Sequence, residues 1–363
     1  MPLPPPLKPL TCSNPDCTLP DGGRCARLAE FPDPLAECVD LLREKPVDVE
    51  VPSEGAAPWS GRHLDRMETD ALLWNSPARL ITVLGASNAG KTCFLTSFFL
   101  QLANGQNDGF SYRVASSRTL HGFRELMERA EQWSGQAEDG IVPHTVVGQE
   151  GASQRSFLHL GLRPSDASDD RHIDFLLSDI PGEWVKNWSS HLDDVTRRQM
   201  AFVQRSDGFI ILADAGALLG SKGPRVDADT SLLVRRVVDF SKALEPRPPL
   251  ALVLSKFDQV VEAVLPPEPE QRGNKAAWGP LGGRLVRTWG ALEAARAEGI
   301  PVGVFPVSAF PNRMAEGQPV GVMAPFNFMM AHADRREPWA PIELPIPAEA
   351  RGFDTLRRWR ETT

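Results

Sequence analysis

At 363 residues the chain has two to three domain lengths, enough for a sizeable core, so a small cross-linked scaffold is excluded. Hydrophobic residues at 42% and charged residues at 24% suit a folded globular chain, while 33 prolines demand long irregular stretches. A net charge of −8, from 39 basic and 47 acidic side chains, argues against a broad nucleic-acid or anionic-membrane surface.

No run approaches the ~20 apolar residues of a membrane span. The first ten residues, MPLPPPLKPL, are broken by prolines and lack the apolar core of a secretory signal, so the expected setting is the cytoplasm. Four cysteines, Cys12, Cys17, Cys25 and Cys38, crowd the start of the chain. In a reducing compartment such a cluster suggests metal more readily than disulfides. Four thiolates can close a tetrahedral Zn²⁺ site, but paired C-x2-C knuckles are absent, so zinc, free thiols and disulfides all stay open.

In chain order, residues 1–62 read as a Pro/Cys-rich N-terminal element with one helix-like stretch, Pro34 to Glu44. From Leu80, LITVLG is a short apolar run ended by a glycine turn, and KTCFLTSFFLQLA follows with helical spacing: strand, tight loop, helix. Residues 104–155 read as an insertion, with a helix in HGFRELMERAEQW and an extended loop after it. Two strands, 157–162 and 172–180, form a hairpin. A helix over 184–204, a strand over 208–215, a helix over 230–243 and a strand over 249–255 come next. A Pro/Gly-rich loop at 265–283, a helix over 284–297 and a strand over 302–309 complete the alternation. Apolar strands alternating with amphipathic helices predict an α/β fold, a mostly parallel sheet with helices on both faces and its site at the carboxyl ends of the strands. Residues 313–363 read as a C-terminal extension with a last helix over 350–359.

The strongest motif is GASNAGKT, Gly85 to Thr92, which fits G-x-x-x-x-G-K-[ST]. Gly85, Asn88, Ala89 and Gly90 let backbone N–H groups converge on phosphate oxygens, and the helix N-terminus adds positive potential. Lys91 reaches the β- and γ-phosphates and Thr92 offers its hydroxyl to Mg²⁺. Cys93 follows on the same helix as a small residue beside the nucleotide. DIPGE, Asp179 to Glu183, ends an apolar strand: Asp179 can hold Mg²⁺ through water, and the Gly182 N–H can sense a γ-phosphate. SKFD, Ser255 to Asp258, also follows a strand; the Asp258 carboxylate can accept two hydrogen bonds from guanine, a pairing adenine cannot offer, and Lys256 can lay its stem across the base. In VSAF, Ser308 and the Ala309 N–H can touch the base oxygen.

In that order the four motifs resemble the series of translation-factor and Ras-like P-loop GTPases, over roughly residues 80–310. The resemblance implies a GTPase domain over 78–312, GTP or GDP and Mg²⁺ as ligands, and GTP hydrolysis with Lys91, Gly182 and Glu183 at the reacting end. Ser255 stands where Asn or Thr is usual, which weakens the expected tie to the phosphate loop. The long interval between Lys91 and Asp179 places the insertion in the first switch region. A switch threonine on Mg²⁺ is expected there, with Thr145 the choice and Thr119 the second. Glu183 replaces the usual Gln and adds charge beside the γ-phosphate, so intrinsic hydrolysis is expected to be slow. Trp184, Trp188 and Leu192 share a helix face that is either core or a nucleotide-gated partner surface. Arg197 and Arg198 can reach across an interface.

The Cys-rich head, the switch insertion and DIPGE together are similar to the bacterial double-GTPase group, found beside a second GTPase or other partners in multi-gene conflict systems. That implies a molecular switch working through a partner protein, with a second GTPase as the candidate. The rivals are a non-catalytic scaffold stabilised by nucleotide and an ATP-dependent P-loop phosphotransferase.

Overall fold

The computed structural model describes residues 11–12, 41–42, 61, 63–65, 68–69, 72, 78–106, 109–131, 157–166, 172–180, 182, 185–186, 188, 200–242, 244, 246–310 and 318–333. Cys17, Cys25, Cys38, Thr145, Glu183, Trp184, Leu192, Arg197, Arg198 and the helix expected over 350–359 lie outside them. The chain divides into two compact units, one of Met1–Ala56 with Leu356–Thr363 and one of Ala57–Thr355.

In the first unit, β1 (Thr11–Cys12) pairs antiparallel with β2 (Leu41–Leu42), Cys12 opposite Leu41. Leu41 and Leu42 fall inside the stretch expected to be helical; the ladder satisfies their backbone groups instead.

The second unit is built on seven strands: β3 (Ala78–Gly85), β4 (Tyr112–Ser116), β5 (Phe157–Pro164), β6 (Ile173–Ser178), β7 (Gly208–Asp214), β8 (Leu250–Ser255) and β9 (Val302–Pro306). Their order is β4-β5-β6-β3-β7-β8-β9. Strands β6, β3, β7, β8 and β9 are mutually parallel, and β5 runs against both of its neighbours. This is the mostly parallel sheet expected, with the 157–178 hairpin where the sequence puts it. The central strands are mostly apolar because both faces are covered. Along β7, Phe209, Ile211 and Ala213 face one core, while Ile210 and Leu212 face the other.

Helices α1 (Lys91–Ala103), α2 (Leu120–Glu131), α3 (Ala215–Leu219), α4 (Gly223–Ser241), α5 (Gly279–Arg284), α6 (Val286–Ala297) and α7 (Met323–Ala333) clothe the sheet. Helices α4, α5 and α6 contribute to one core, and α1, α2 and α7 to the other.

Several elements differ from expectation. Strand β4 lies within the insertion, on the sheet edge, where alternating burial suffices and no apolar run marks it. Helix α4 begins seven residues before Thr230, opened by Pro224 in its first turn. The 265–283 loop is ordered by short turns and by α5, around Trp278, whose indole N–H donates to the Arg272 carbonyl at 3.0 Å. Helix α7 lies beyond residue 312, in the segment read as an extension, yet it is core: Phe326 stacks on Phe94 and Phe98 of α1, with centroids 5.0 and 3.6 Å apart.

A segment ahead of β3 belongs to the same unit. Leu64 makes an antiparallel bridge to Phe157 with N···O distances of 2.7 and 3.2 Å, and both side chains are buried with Leu72 and Leu80. Because Phe157 pairs with Ser178, this bridge brings residue 63 toward the end of β6.

Candidate functional site

Strand β3 delivers the chain into the phosphate loop at the carboxyl end of the sheet, between β6 and β7. The loop closes through Asn88 and Gly90, both left-handed at φ 66 and 85. Gly90 carries this at no steric cost and lets α1 start at Lys91 with its first N–H groups free of side-chain caps. Lys91 is 7% exposed and its Nζ donates to the Gly85 and Ala86 carbonyls at 3.0 and 3.2 Å, so the ammonium lies across the mouth of the loop.

Strand β6 is clamped to β3 by the Val83 N–H donating to Ser178 Oγ at 2.8 Å. That sets Asp179, 3% exposed, opposite the start of α1, where Thr92 Oγ1 donates to its Oδ1 at 3.2 Å. A hydroxyl and a carboxylate so placed are hard oxygen donors of the kind Mg²⁺ takes. Gly182 follows, packed on the loop so closely that a Cβ there would collide with the Ser87 backbone nitrogen and the Ser87 Cα. Any side chain at 182 would push the two segments apart.

On the other side of the loop, Ser255 Oγ donates to the Ala89 carbonyl at 2.8 Å, with the Ala213 carbonyl as a second acceptor at 3.2 Å. The tie expected to weaken with serine is therefore made. Lys256 is a non-glycine residue at φ 53, a conformation that costs on the order of 1–3 kcal/mol and is held by its neighbours. The Phe257 N–H donates to the Val307 carbonyl at 3.1 Å and the Asp258 N–H to Ser308 Oγ at 2.9 Å. These bonds bring SKFD and VSA together as two loops at one sheet end, with Ala309 next to Ser308 and half-buried.

Cys93 lies between the two halves. Burial pushes its thiol up to about 11, with Lys256 pulling it down and Asp179 pushing it further up. A thiol so held is protonated at neutral pH and is not a nucleophile.

Thr119, the second choice for the switch threonine, is fully buried and occupied elsewhere: its Oγ1 accepts from the His159 N–H at 2.9 Å and donates to the His159 carbonyl at 3.2 Å. That role is structural, as is the neighbouring pair of His159 Nε2 and Asp174 Oδ1 at 2.8 Å. Trp188 is 1% exposed and packs against Phe240, so the core reading of its stripe holds for this residue.

Two residues near the site carry no motif. Asp214 ends β7 and holds Lys256 Nζ at 2.7 Å; its signal is an acidic residue closing an apolar strand next to the SKFD strand. His63 Nε2 lies 3.8 Å from Asp179 Oδ2, brought there by the Leu64 bridge, for which local sequence gives no sign. Among the described residues no group of three or more His, Cys, Asp or Glu is placed to hold a metal, and no helix is long and apolar enough to cross a membrane.

No curated protein matches the sequence. Among solved structures, the chain is similar to the signal recognition particle receptor SRb–GTP/SRX complex of Chaetomium thermophilum at 17% identity, covering 70% of this chain and 97% of that one, TM-score 0.37. It is similar to the FeoB G-domain of Methanococcus jannaschii at 12% identity, covering 71% and 98%, TM-score 0.33. The cytosolic domain of the T. maritima FeoB iron transporter, in apo form, is similar at 13% identity, covering 72% and 67%, TM-score 0.32. The family model described as Double-GTPase 2 matches residues 79–280, more than half of the chain and the span from β3 to α5 that contains the phosphate loop, DIPGE and SKFD. With that match and a P-loop sheet of this topology, the chain belongs to the Double-GTPase 2 family of P-loop GTPases.

Proposed function

We propose that the chain is a guanine-nucleotide switch that hydrolyses GTP with Mg²⁺ by in-line attack of water, acts in the cytoplasm and passes its nucleotide state to a partner protein. The observation that carries this reading is the 2.8 Å bond from Ser255 Oγ to the Ala89 carbonyl. It ties the base-side motif to the phosphate loop, so that one ligand with a base at one end and phosphates at the other engages both.

Lys91 and the loop N–H groups set positive charge where the β- and γ-phosphates lie, ahead of the reaction and without reorganisation. When bound, Mg²⁺ supplies further positive charge to the phosphate oxygens. Thr92 and Asp179 are its donors in this reading, with Thr145 the third. Asp258 reads the guanine edge, Lys256 walls the base, and Ser308 with the Ala309 N–H meets the base oxygen. Gly182, packed on Ala86 and Ser87, reports what occupies the loop.

Glu183 follows Gly182 and orients the attacking water at the cost of negative charge near the γ-phosphate, which keeps turnover slow. The test is phosphate release from GTP with and without Mg²⁺. Slow, Mg²⁺-dependent turnover is expected from the wild type, none from Lys91→Ala, and faster turnover from Glu183→Gln. Wild-type release no greater than that of Lys91→Ala would favour the scaffold reading, in which nucleotide is bound and kept.

The inferred partner is a second GTPase in a bacterial multi-protein conflict system, on the strength of the double-GTPase resemblance. Cys12, Cys17, Cys25 and Cys38 are proposed as a structural Zn²⁺ site, for which stoichiometric zinc in the full chain and its loss in Cys12→Ser are the check.

A further inference from the structure

Strand β7 ends on Asp214, in register with Ser255 at the end of β8. Its two carboxylate oxygens have separate work. Oδ1 accepts the Ala217 N–H at 2.8 Å and caps α3, while Oδ2 takes the Lys256 ammonium at 2.7 Å. The backbone around Lys256 is pinned on both sides, by Ser255 on Ala89 and by Phe257 and Asp258 on the 307–308 segment. The Lys256 side chain, with its long flexible stem, is anchored at its tip by Asp214.

We infer that Asp214 is a positioning residue for nucleotide recognition, gripping the Lys256 ammonium so that the lysine stem stands as a preformed wall of the base pocket. The inference rests on the guanine-nucleotide reading of the site. A free lysine samples many rotamers, and a ligand that orders it loses affinity by that entropy; a stem already held costs less to order. The left-handed backbone of Lys256 serves the same end, since it aims the side chain from a turn that its neighbours over-determine. The pair is partly exposed, 36% for Lys256 and 18% for Asp214, so solvent screens it and the effect is modest.

The experiment is a double-mutant cycle on the full chain, read as GDP affinity by equilibrium titration in Mg²⁺. Asp214→Asn keeps a side-chain oxygen for the Ala217 N–H, so the cap on α3 survives while the charge goes. Lys256→Met keeps the stem and removes the ammonium. Asp214→Asn is expected to weaken GDP binding about two- to fivefold in the wild-type background. It is expected to have no further effect in the Lys256→Met background, because the group it acts through is gone. Equal weakening in both backgrounds, or no weakening in the wild type, would overturn the inference. Asp214→Ser, which also caps a helix without charge, takes the place of Asp214→Asn if that variant does not fold. Wild-type protein that binds ADP as tightly as GDP would remove the guanine reading and this inference together; guanine selectivity with equal weakening in both backgrounds removes this inference alone.

Discussion

Ser255 stands where related motifs carry Asn or Thr, and its short side chain still spans β8 to the phosphate loop, with Ala89 of the loop and Ala213 of the neighbouring β7 both within reach. A hydroxyl has one hydrogen to donate, so the Ala89 carbonyl at 2.8 Å is the principal acceptor. Ser255→Ala leaves that carbonyl without its donor in a buried place, and we expect a loss of about 1–3 kcal/mol in the urea unfolding of nucleotide-free protein. An unchanged midpoint would show that the bond contributes nothing. Cys93 gives a prediction in pH. Its folded pKa, pushed up to about 11 from the ordinary 9.0, means that the unfolded chain loses the thiol proton first. The folded state then binds more protons across that window, so its stability is undiminished below pH 9 and falls as pH rises toward 11. Melting temperatures of wild type and Cys93→Ala, compared between pH 8 and 11, should converge as pH rises; parallel curves would contradict the burial of the thiol.

Helix α7 shows what a change of element costs. Phe326 is fully buried between Phe94 and Phe98 of α1, and Met329 fills the space that Gly208 leaves at the start of β7. Phe326→Ala should therefore cost about 3–5 kcal/mol in denaturant unfolding, the usual penalty for a large aromatic cut from a packed core. A change below about 1 kcal/mol would mean that α7 is not part of the core. This helix was not legible in the sequence, because MAPFNFMMAHA is apolar on nearly every face and follows a Pro/Gly-rich loop. The first turns of α4 leave no mark in the sequence for the opposite reason: Gly223 to Asp229 carries few apolar residues. Their worth is tertiary, since Asp227 accepts the Arg287 and Thr288 N–H groups at 3.0 and 2.9 Å and so caps α6, which has no side-chain cap of its own. Strand β4 is short and half-exposed, and only its pairing with β5 defines it.

Across the whole molecule, the parallel strands and the residues at their carboxyl ends were legible because burial on both faces writes apolar runs into the sequence, and glycine turns mark where those runs stop. Lys91 meets the Gly85 carbonyl of the loop, Thr92 meets Asp179, and Asp258 meets Ser308 through its backbone N–H. Asp214 and His63 were not legible, since their closeness to the site depends on strand register and on a bridge between Leu64 and Phe157. In the proposed function this sheet end binds a guanine nucleotide. The most direct measurement is titration of nucleotide-free wild type and Asp258→Asn with GDP, XDP and ADP in Mg²⁺. The wild type should prefer GDP over ADP by at least about a hundredfold, since adenine lacks the donor pair that the half-buried Asp258 carboxylate accepts from guanine. Asp258→Asn should lose GDP and gain XDP, because its amide donates to the oxygen that xanthine carries in place of the amino group. Equal affinity for GDP and ADP in the wild type, unchanged by Asp258→Asn, would rule out guanine recognition by SKFD and leave only the phosphate loop.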